Sequence, residues 1–226
     1  MEGQQKIGIM GGTFNPIHFG HLRAVDEMAG HFALQNVYFI PTHIAPHKDS
    51  LNMATFQHRF KMIQLGIEGR EGFIVTDLES RLSGPSYTVH TLEALHNELG
   101  SSVDLFFLVG YDSFRNVDKW FRFRELFKLA SFVVNVRAST RGSQEGLGRL
   151  LQDFWGESPL WDEKKKAYLL KGINPIYFFK GTKLAISSSD LRKRLIQGQS
   201  IRYLVPDKVL DYIFANAVYP FPAENH

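Results

Sequence analysis

Met10-Gly11-Gly12-Thr13-Phe14-Asn15-Pro16-Ile17-His18-Phe19-Gly20-His21-Leu22 follows a short apolar run, Lys6 to Met10, and leads into Leu22, Val25, Met28 and Ala29 at helical spacing. The stretch is therefore predicted to be the turn between a first strand and a first helix. Paired glycines there let backbone N–H groups approach a ligand with no Cβ in the way, and the helix adds the positive end of its dipole. Anions bind at such turns. His18 and His21 lie three apart, one just before and one within the first helical turn, so both rings can project toward one bound anion. An isolated His-x-x-His is also compatible with a metal pair or a solvated surface. The glycine spacing is not Gly-x-Gly-x-x-Gly and no Gly-Lys-Ser/Thr follows, so neither a dinucleotide fingerprint nor a P-loop is supported.

Outward from this turn, short apolar runs alternate with helical patterns. Val37 to Pro41 reads as a second strand, followed by the loop Thr42 to Lys48 and a helix from Thr55 to Gly66. Phe73 to Leu78 is read as a third strand, and Ser83-Gly84-Pro85-Ser86 breaks the chain before a helix marked by Val89, Leu92, Leu95 and Leu99. Val103 to Val109 and Phe132 to Val136 supply the fourth and fifth strands, with two short helices between them carrying Trp120 and Leu126. Ile176 to Phe179 returns to strand character, and helices Ser187 to Gln197 and Pro206 to Asn216 close the chain. Continuous apolar strands alternating with helices predict a doubly wound, mostly parallel α/β sheet with C-terminal helices. In such sheets ligands gather at the carboxyl ends of the strands, where strand order reverses. Gly11 to His21, His43 to Lys48, Gly110 to Asp112 and Arg137 all follow strands and are expected to face one crevice. Between Ser139 and Gly172 the pattern weakens around five residues that interrupt it, Gly142, Gly146, Gly148, Gly156 and Pro159, and this part reads as a surface insertion in a single domain spanning 1–226.

Composition sets the outer limits. A chain of 226 residues with 44% hydrophobic content and 19 phenylalanines can bury a core in one domain, roughly 70% of its unfolded surface by size scaling. With no cysteine, disulfides, thiolate chemistry and cysteine-ligated zinc are excluded, in agreement with a reducing cytoplasm. No stretch approaches the ~20 apolar residues of a membrane span, and the first residues lack an apolar signal core. The net charge of +3 is too small to argue for nucleic acid, although Lys164-Lys165-Lys166 and Arg192-Lys193-Arg194 are basic. A soluble, cytoplasmic protein without membrane or nucleic-acid partners is expected, and a homo-oligomer stays open.

A second anion element stands near the C-terminus. Ile186-Ser187-Ser188-Ser189-Asp190-Leu191-Arg192 opens a helix with serine as N-cap and an acid near the first turn. Three consecutive hydroxyls exceed what capping needs, and Arg192 sits about one turn in, where a cation is disfavoured unless an anion is near.

The opening turn resembles the Gly-Thr-Phe-Asp-Pro-x-His-x-Gly-His signature of the nucleotidyltransferase superfamily, and Ile186 to Arg192 resembles the Ile-Ser-Ser-Thr-x-x-Arg element that closes its triphosphate site, with Ser189 where threonine is common. The resemblance implies a Rossmann-like nucleotidyltransferase fold. Within that superfamily the chain is similar to the bacterial nicotinate mononucleotide adenylyltransferases. Pro41 to Lys48 resembles their Pro-x-x-x-Pro-Pro-His-Lys loop, with Ala45 replacing the first of the paired prolines. Gly84-Pro85-Ser86-Tyr87-Thr88, the Gly110-Tyr111-Asp112 turn, Trp120, Arg137 and Leu204-Val205-Pro206 also match.

The resemblance implies AMP transfer from ATP to nicotinate mononucleotide, with Mg2+ delivered on ATP and no protein-held metal. It places ATP on Gly11, Gly12, Thr13, Phe14, His18, His21, Gly110, Asp112, Arg137, Ile186, Ser187, Ser188 and Arg192. The acceptor falls to Lys48, Tyr87, Thr88, Asp112 and Trp120. His18, His21, Lys48 and Arg192 are the implied catalytic groups, with His21 on the α-phosphate. Chemically, a flat, electron-poor nicotinate ring suits stacking on Trp120, and its carboxylate suits the N–H groups near Tyr87 and Thr88. Trp120 can equally be a packing residue, and Asp112 can either accept from a ribose hydroxyl or cap the helix that follows. Asn15 stands where the signature has Asp, so a role needing negative charge is in doubt there. Three rival readings remain: a related transferase using phosphopantetheine or nicotinamide mononucleotide, a hydrolytic metal site on His18, His21, His43 and His47, and a non-catalytic nucleotide- or nucleic-acid-binding module.

Overall fold

The computed structural model describes residues 4–44, 53–100, 102–136, 144–182 and 184–221. Its first half alternates β1 (Gln5–Gly12), α1 (Phe19–Phe32), β2 (Asn36–Pro41), α2 (Phe56–Gly66) and β3 (Phe73–Val75), followed by α3 (Leu78–Arg81) and α4 (Thr88–Leu99). Next come β4 (Val103–Gly110), α5 (Tyr111–Phe114), a 3-10 turn (Val117–Lys119), α6 (Phe123–Leu129) and β5 (Ser131–Asn135). The remainder is α7 (Gln144–Trp155), β6 (Leu160–Asp162), β7 (Ala167–Leu169), β8 (Ile176–Phe179), α8 (Ser188–Ile196) and α9 (Asp207–Ala215).

The described strands form one sheet in the order β3-β2-β1-β4-β5-β8-β7-β6. Strands β1 to β5 and β8 run parallel, whereas β6 and β7 pair antiparallel with each other and β7 pairs antiparallel with β8. Both faces are covered, which is why the central strands read as unbroken apolar runs. Along β4, Leu105, Phe107 and Val109 enter the core beneath α4, α6 and α7, while Phe106 and Leu108 enter the opposite core with Val25, Met28, Ile63 and Leu191. Each fully buried phenylalanine or leucine is worth about 1.5–3 kcal/mol, so the two cores fix the register that brings the strand ends level. Strand order reverses between β1 and β4.

Two departures from the sequence reading have physical causes. The third strand stops at Val75, because Leu78 turns inward as the first residue of α3 and is buried from there. The apolar run was one burial pattern shared by two elements. The described part of 139–172 is built into the fold rather than laid on its surface: Leu147 and Leu151 of α7 are fully buried, and β6 and β7 extend the sheet. A Cβ on Gly148 would lie 2.6 Å from the Tyr168 hydroxyl, so this glycine, read as a loop signal, marks a close helix–strand contact.

Candidate active site

The turn after β1 is held from two sides. Buried Arg59 of α2 donates from Nη1 to the Thr13 carbonyl at 2.9 Å and from Nε to the Ala54 carbonyl at 3.0 Å. Arg192 of α8 donates from Nη1 to the Asn15 carbonyl at 2.7 Å, and the Ser188 hydroxyl donates to the Pro16 carbonyl at 2.8 Å. With the Thr13 carbonyl turned to α2, the Phe14 N–H across the same planar peptide points the other way. Asn15 is buried, with its Oδ1 accepting from the Ala54 N–H at 3.1 Å and from the Tyr219 hydroxyl at 2.7 Å. Burial pushes the Tyr219 phenol well above its ordinary range, against the pull of Arg192 and Arg59, so it stays a neutral donor.

His18 is the N-cap position of α1 and is 3% exposed, and no acidic residue lies in the first turn of that helix. Its ring stacks on His21, with centroids 3.7 Å apart and an interplanar angle of 22°, while Phe14 meets His21 edge-on at 5.2 Å. Imidazole lone pairs lie in the ring plane. Stacked rings therefore direct their nitrogens side by side, not to one point about 2.0–2.1 Å away as a shared zinc would need. The geometry suits a phosphate clamp better than the metal pair the sequence left open.

These groups open onto a cleft of about 450 Å³ at the carboxyl ends of β1 and β4, where strand order reverses. Of the residues singled out from the sequence, Gly11, Gly12, Thr13, Phe14, His21, Thr88, Gly110 and Trp120 line it. Trp120 both packs and lines: its ring meets Phe107 edge-on at 6.1 Å while a surface of it faces the cleft. Tyr87 lies beside the cleft instead, stacked on Phe121 at 4.6 Å. Asp112 is exposed in the first turn of α5, and its neighbour Ser113 lines the cleft in its place. His18 backs His21 from below. Ile186, Ser187, Ser188 and Arg192 do not line the cleft; Ser188 and Arg192 are tied to its glycine turn through the Pro16 and Asn15 carbonyls, and Ser187 caps α8 by accepting from the Asp190 N–H at 3.1 Å. Arg192 borders a separate hollow with Ser189, Lys193 and Tyr219. Lys48, Arg137, Ala45 and His47 lie outside the described residues.

Two further lining groups, Glu79 and Asn135, carried no sequence signal strong enough to find them, whereas Thr42, Ser86 and Thr91, which line the same cleft, fall in or beside the stretches that resemble the family. The Ser86 hydroxyl oxygen accepts from the His43 and Ile44 N–H groups at 3.1 Å each, and the Glu79 carboxylate accepts from the Thr91 hydroxyl at 2.8 Å and the His43 N–H at 3.3 Å. Burial pushes the Glu79 carboxyl upward, opposed by its bonds from Ser86, Thr91 and the His43 N–H. Ser86 was visible as part of the Gly84 to Thr88 motif. Glu79 was not, because one acid in a short amphipathic stretch looks like a solvated residue.

A glycine turn and two histidines opening a helix are thus tied to a serine-rich helix start at the end of a parallel sheet. Residues 9–194 match the cytidylyltransferase-like family model. The chain is 37% identical over 214 residues to a probable nicotinate-nucleotide adenylyltransferase of Geotalea uraniireducens, covering 95% of this chain and 98% of the relative. It is 38% identical, at 95% and 97% coverage, to one from Syntrophotalea carbinolica. Among solved structures, the Plasmodium falciparum nicotinic acid mononucleotide adenylyltransferase complexed with NaAD superposes with a TM-score of 0.73 at 21% identity, over 97% of this chain and all of that one. The chain belongs to the nicotinate-nucleotide adenylyltransferase family. Transferases of this class generally use a divalent metal with ATP. No helix among the described residues is long and apolar enough to cross a membrane.

Proposed function

We propose that this chain, as one nucleotidyltransferase domain, transfers AMP from ATP to nicotinate mononucleotide, giving nicotinate adenine dinucleotide and pyrophosphate. The observation that carries this reading is the single cleft holding the glycine turn and His21 at one wall and Ser86, Thr88 and Trp120 at the other. A triphosphate and a flat acceptor can meet there at their reacting phosphates.

In the reaction a phosphate oxygen of the acceptor bonds to the α-phosphorus of ATP as the bond to the bridging oxygen breaks and pyrophosphate leaves. A phosphomonoester with a second pKa near 6 is mostly dianionic at neutral pH, so no general base is needed. Alignment and neutralisation of the α-phosphoryl oxygens then supply the rate. His21 donates to the α-phosphate, and His18, stacked beneath it, fixes its ring plane. Gly12 to Phe14 present main-chain N–H groups, and Ser188 and Arg192 hold that turn in shape. Lys48 and Arg137 keep the phosphate and ATP roles that the family pattern gives them, and Asp112 and Tyr87 stand at the rim of the acceptor half. Mg2+ arriving on ATP supplies further charge neutralisation there. The stacked histidines, Thr13 and Thr42 fit an ion carried by phosphates and water rather than a protein cage. Neither a membrane nor nucleic acid enters the reaction, the proposed setting is the cytoplasm, and self-association into a homo-oligomer remains part of the proposal to be tested by sedimentation.

Incubation of the chain with ATP, Mg2+ and nicotinate mononucleotide, followed by chromatography, should yield nicotinate adenine dinucleotide and pyrophosphate in equal amounts. Hydrolysis of ATP to AMP with no dinucleotide would overturn the reading.

A further inference from the structure

The far end of the cleft carries a polar side chain held with more care than packing requires. Asn135, the last residue of β5, is 6% exposed and lines the cleft. It is paired across the sheet with Gly110 on one side and Phe179 on the other. Its Oδ1 accepts from the Gly181 N–H at 3.2 Å. That bond settles the carboxamide: an N–H donor can meet only the oxygen, which leaves the NH2 half as the donor this side chain can offer to the cleft it lines.

The residues behind it are arranged to keep that bond. A Cβ on Gly181 would lie 2.8 Å from the Asn135 Oδ1 and 3.1 Å from a Glu27 oxygen, so only glycine lets the main chain come this close. Thr182 donates from its N–H to Glu27 Oε2 at 2.8 Å, and Glu27 is held in turn by Arg23 at 2.7 Å. The strand end is thus clamped between α1 and the segment after β8. On the same face of the sheet, Met28 and Leu108 belong to one core, and both line the cleft with Ala24. The result is an apolar slot with a fixed N–H donor at its end.

We infer that Asn135 is a specificity-determining residue that donates from Nδ2 to an unprotonated ring nitrogen of the adenine base of ATP, and that Gly181 is its positioning residue. The inference rests on the AMP-transfer reading for the identity of the ligand. The nicotinate ring cannot supply this acceptor, because its ring nitrogen carries the ribose and has no lone pair. Adenine carries three such nitrogens beside its glycosidic one.

The test is ATP binding by titration calorimetry, with 1-deaza-, 3-deaza- and 7-deaza-ATP as probes that each lack one ring nitrogen. For the native chain one of the three is expected to bind about three- to tenfold more weakly than ATP, the size of one neutral hydrogen bond. Asn135→Asp keeps the acceptor for Gly181 but lacks the donor. It should weaken ATP binding by a similar factor, become indifferent to that analogue and leave the KM for nicotinate mononucleotide unchanged. Gly181→Ala should behave the same way. Native ATP affinity in Asn135→Asp, or equal binding of all three analogues by the native chain, would overturn the inference. ATP binding with base discrimination but no dinucleotide product would overturn the reaction while leaving the base contact standing. Failure of the native chain to bind ATP would overturn both.

Discussion

Arg192 donates to the main-chain carbonyl of Asn15 at 2.7 Å, joining two segments 177 residues apart in sequence. The two phosphate elements are therefore one mechanical unit. A guanidinium expected on phosphate from its position in the motif also shapes the turn proposed to meet phosphate. Substituting Arg192 with alanine removes a charge-assisted bond worth about 1.5–3 kcal/mol. Urea unfolding should show that loss, together with a raised KM for ATP. A raised KM at unchanged stability would assign Arg192 to phosphate alone.

Asn15 makes two bonds through one acceptor oxygen, to the Ala54 N–H and the Tyr219 hydroxyl. An aspartate keeps both. Asn15→Asp is therefore expected to leave turnover within tenfold of native, whereas Tyr219→Phe should cost about 1 kcal/mol of stability for the lost bond. A tenfold change in kcat for Asn15→Asp would show that charge at this position enters the chemistry.

His21 faces the cleft and His18 supports it from beneath. For His21→Ala a loss of order 10² to 10³ in kcat is expected, by analogy with the removal of one oxyanion donor. Steady-state kinetics at saturating ATP separates this from weakened binding. Near-normal turnover would remove His21 from the mechanism.

Glu79 should impose a pH dependence on stability. Its folded-state pKa lies above the ordinary value of 4.5 because burial disfavours the ionised carboxyl. A raised carboxyl pKa means that its contribution is fully present below the unfolded value and is lost as pH rises through the folded one. The stability of the native chain relative to Glu79→Gln is thus expected to fall as pH rises from below 4.5 and then to level off. Denaturation series of both proteins across pH would reveal it, and a difference independent of pH would show that the bonds from Thr91, Ser86 and His43 cancel the burial.

The turn from Gly11 to His21 was legible because two signals coincide there: paired glycines and a change of apolar period from strand to helix. Ser187 to Arg192 was legible for a similar reason, as a helix start with more hydroxyls than a cap uses. What these residues touch was not legible, since the bonds of Arg192 and Ser188 run to carbonyls, which carry no sequence signal. Asn135 offered one hint, a polar residue inside the apolar run Phe132 to Val136. Residues 144–169 read as an insertion because Gly146 and Gly148 interrupt the start of α7 although Leu147, Leu150, Leu151 and Phe154 keep helical spacing, and because β6 and β7, at three residues each, leave no room for a strand period to show. Burial of Leu147 and Tyr168, not local propensity, decides that segment.

The reading stands on the proposed acceptor half of the cleft, which Ser86, Thr88 and Trp120 line. Pyrophosphate release from ATP should be followed side by side with nicotinate mononucleotide, nicotinamide mononucleotide and phosphopantetheine. Rapid release with the first, and far slower release with the other two, is the expected result. Equal rates with the nicotinate and nicotinamide nucleotides would defeat the assignment of the acid as acceptor, and release only with phosphopantetheine would replace the reaction itself.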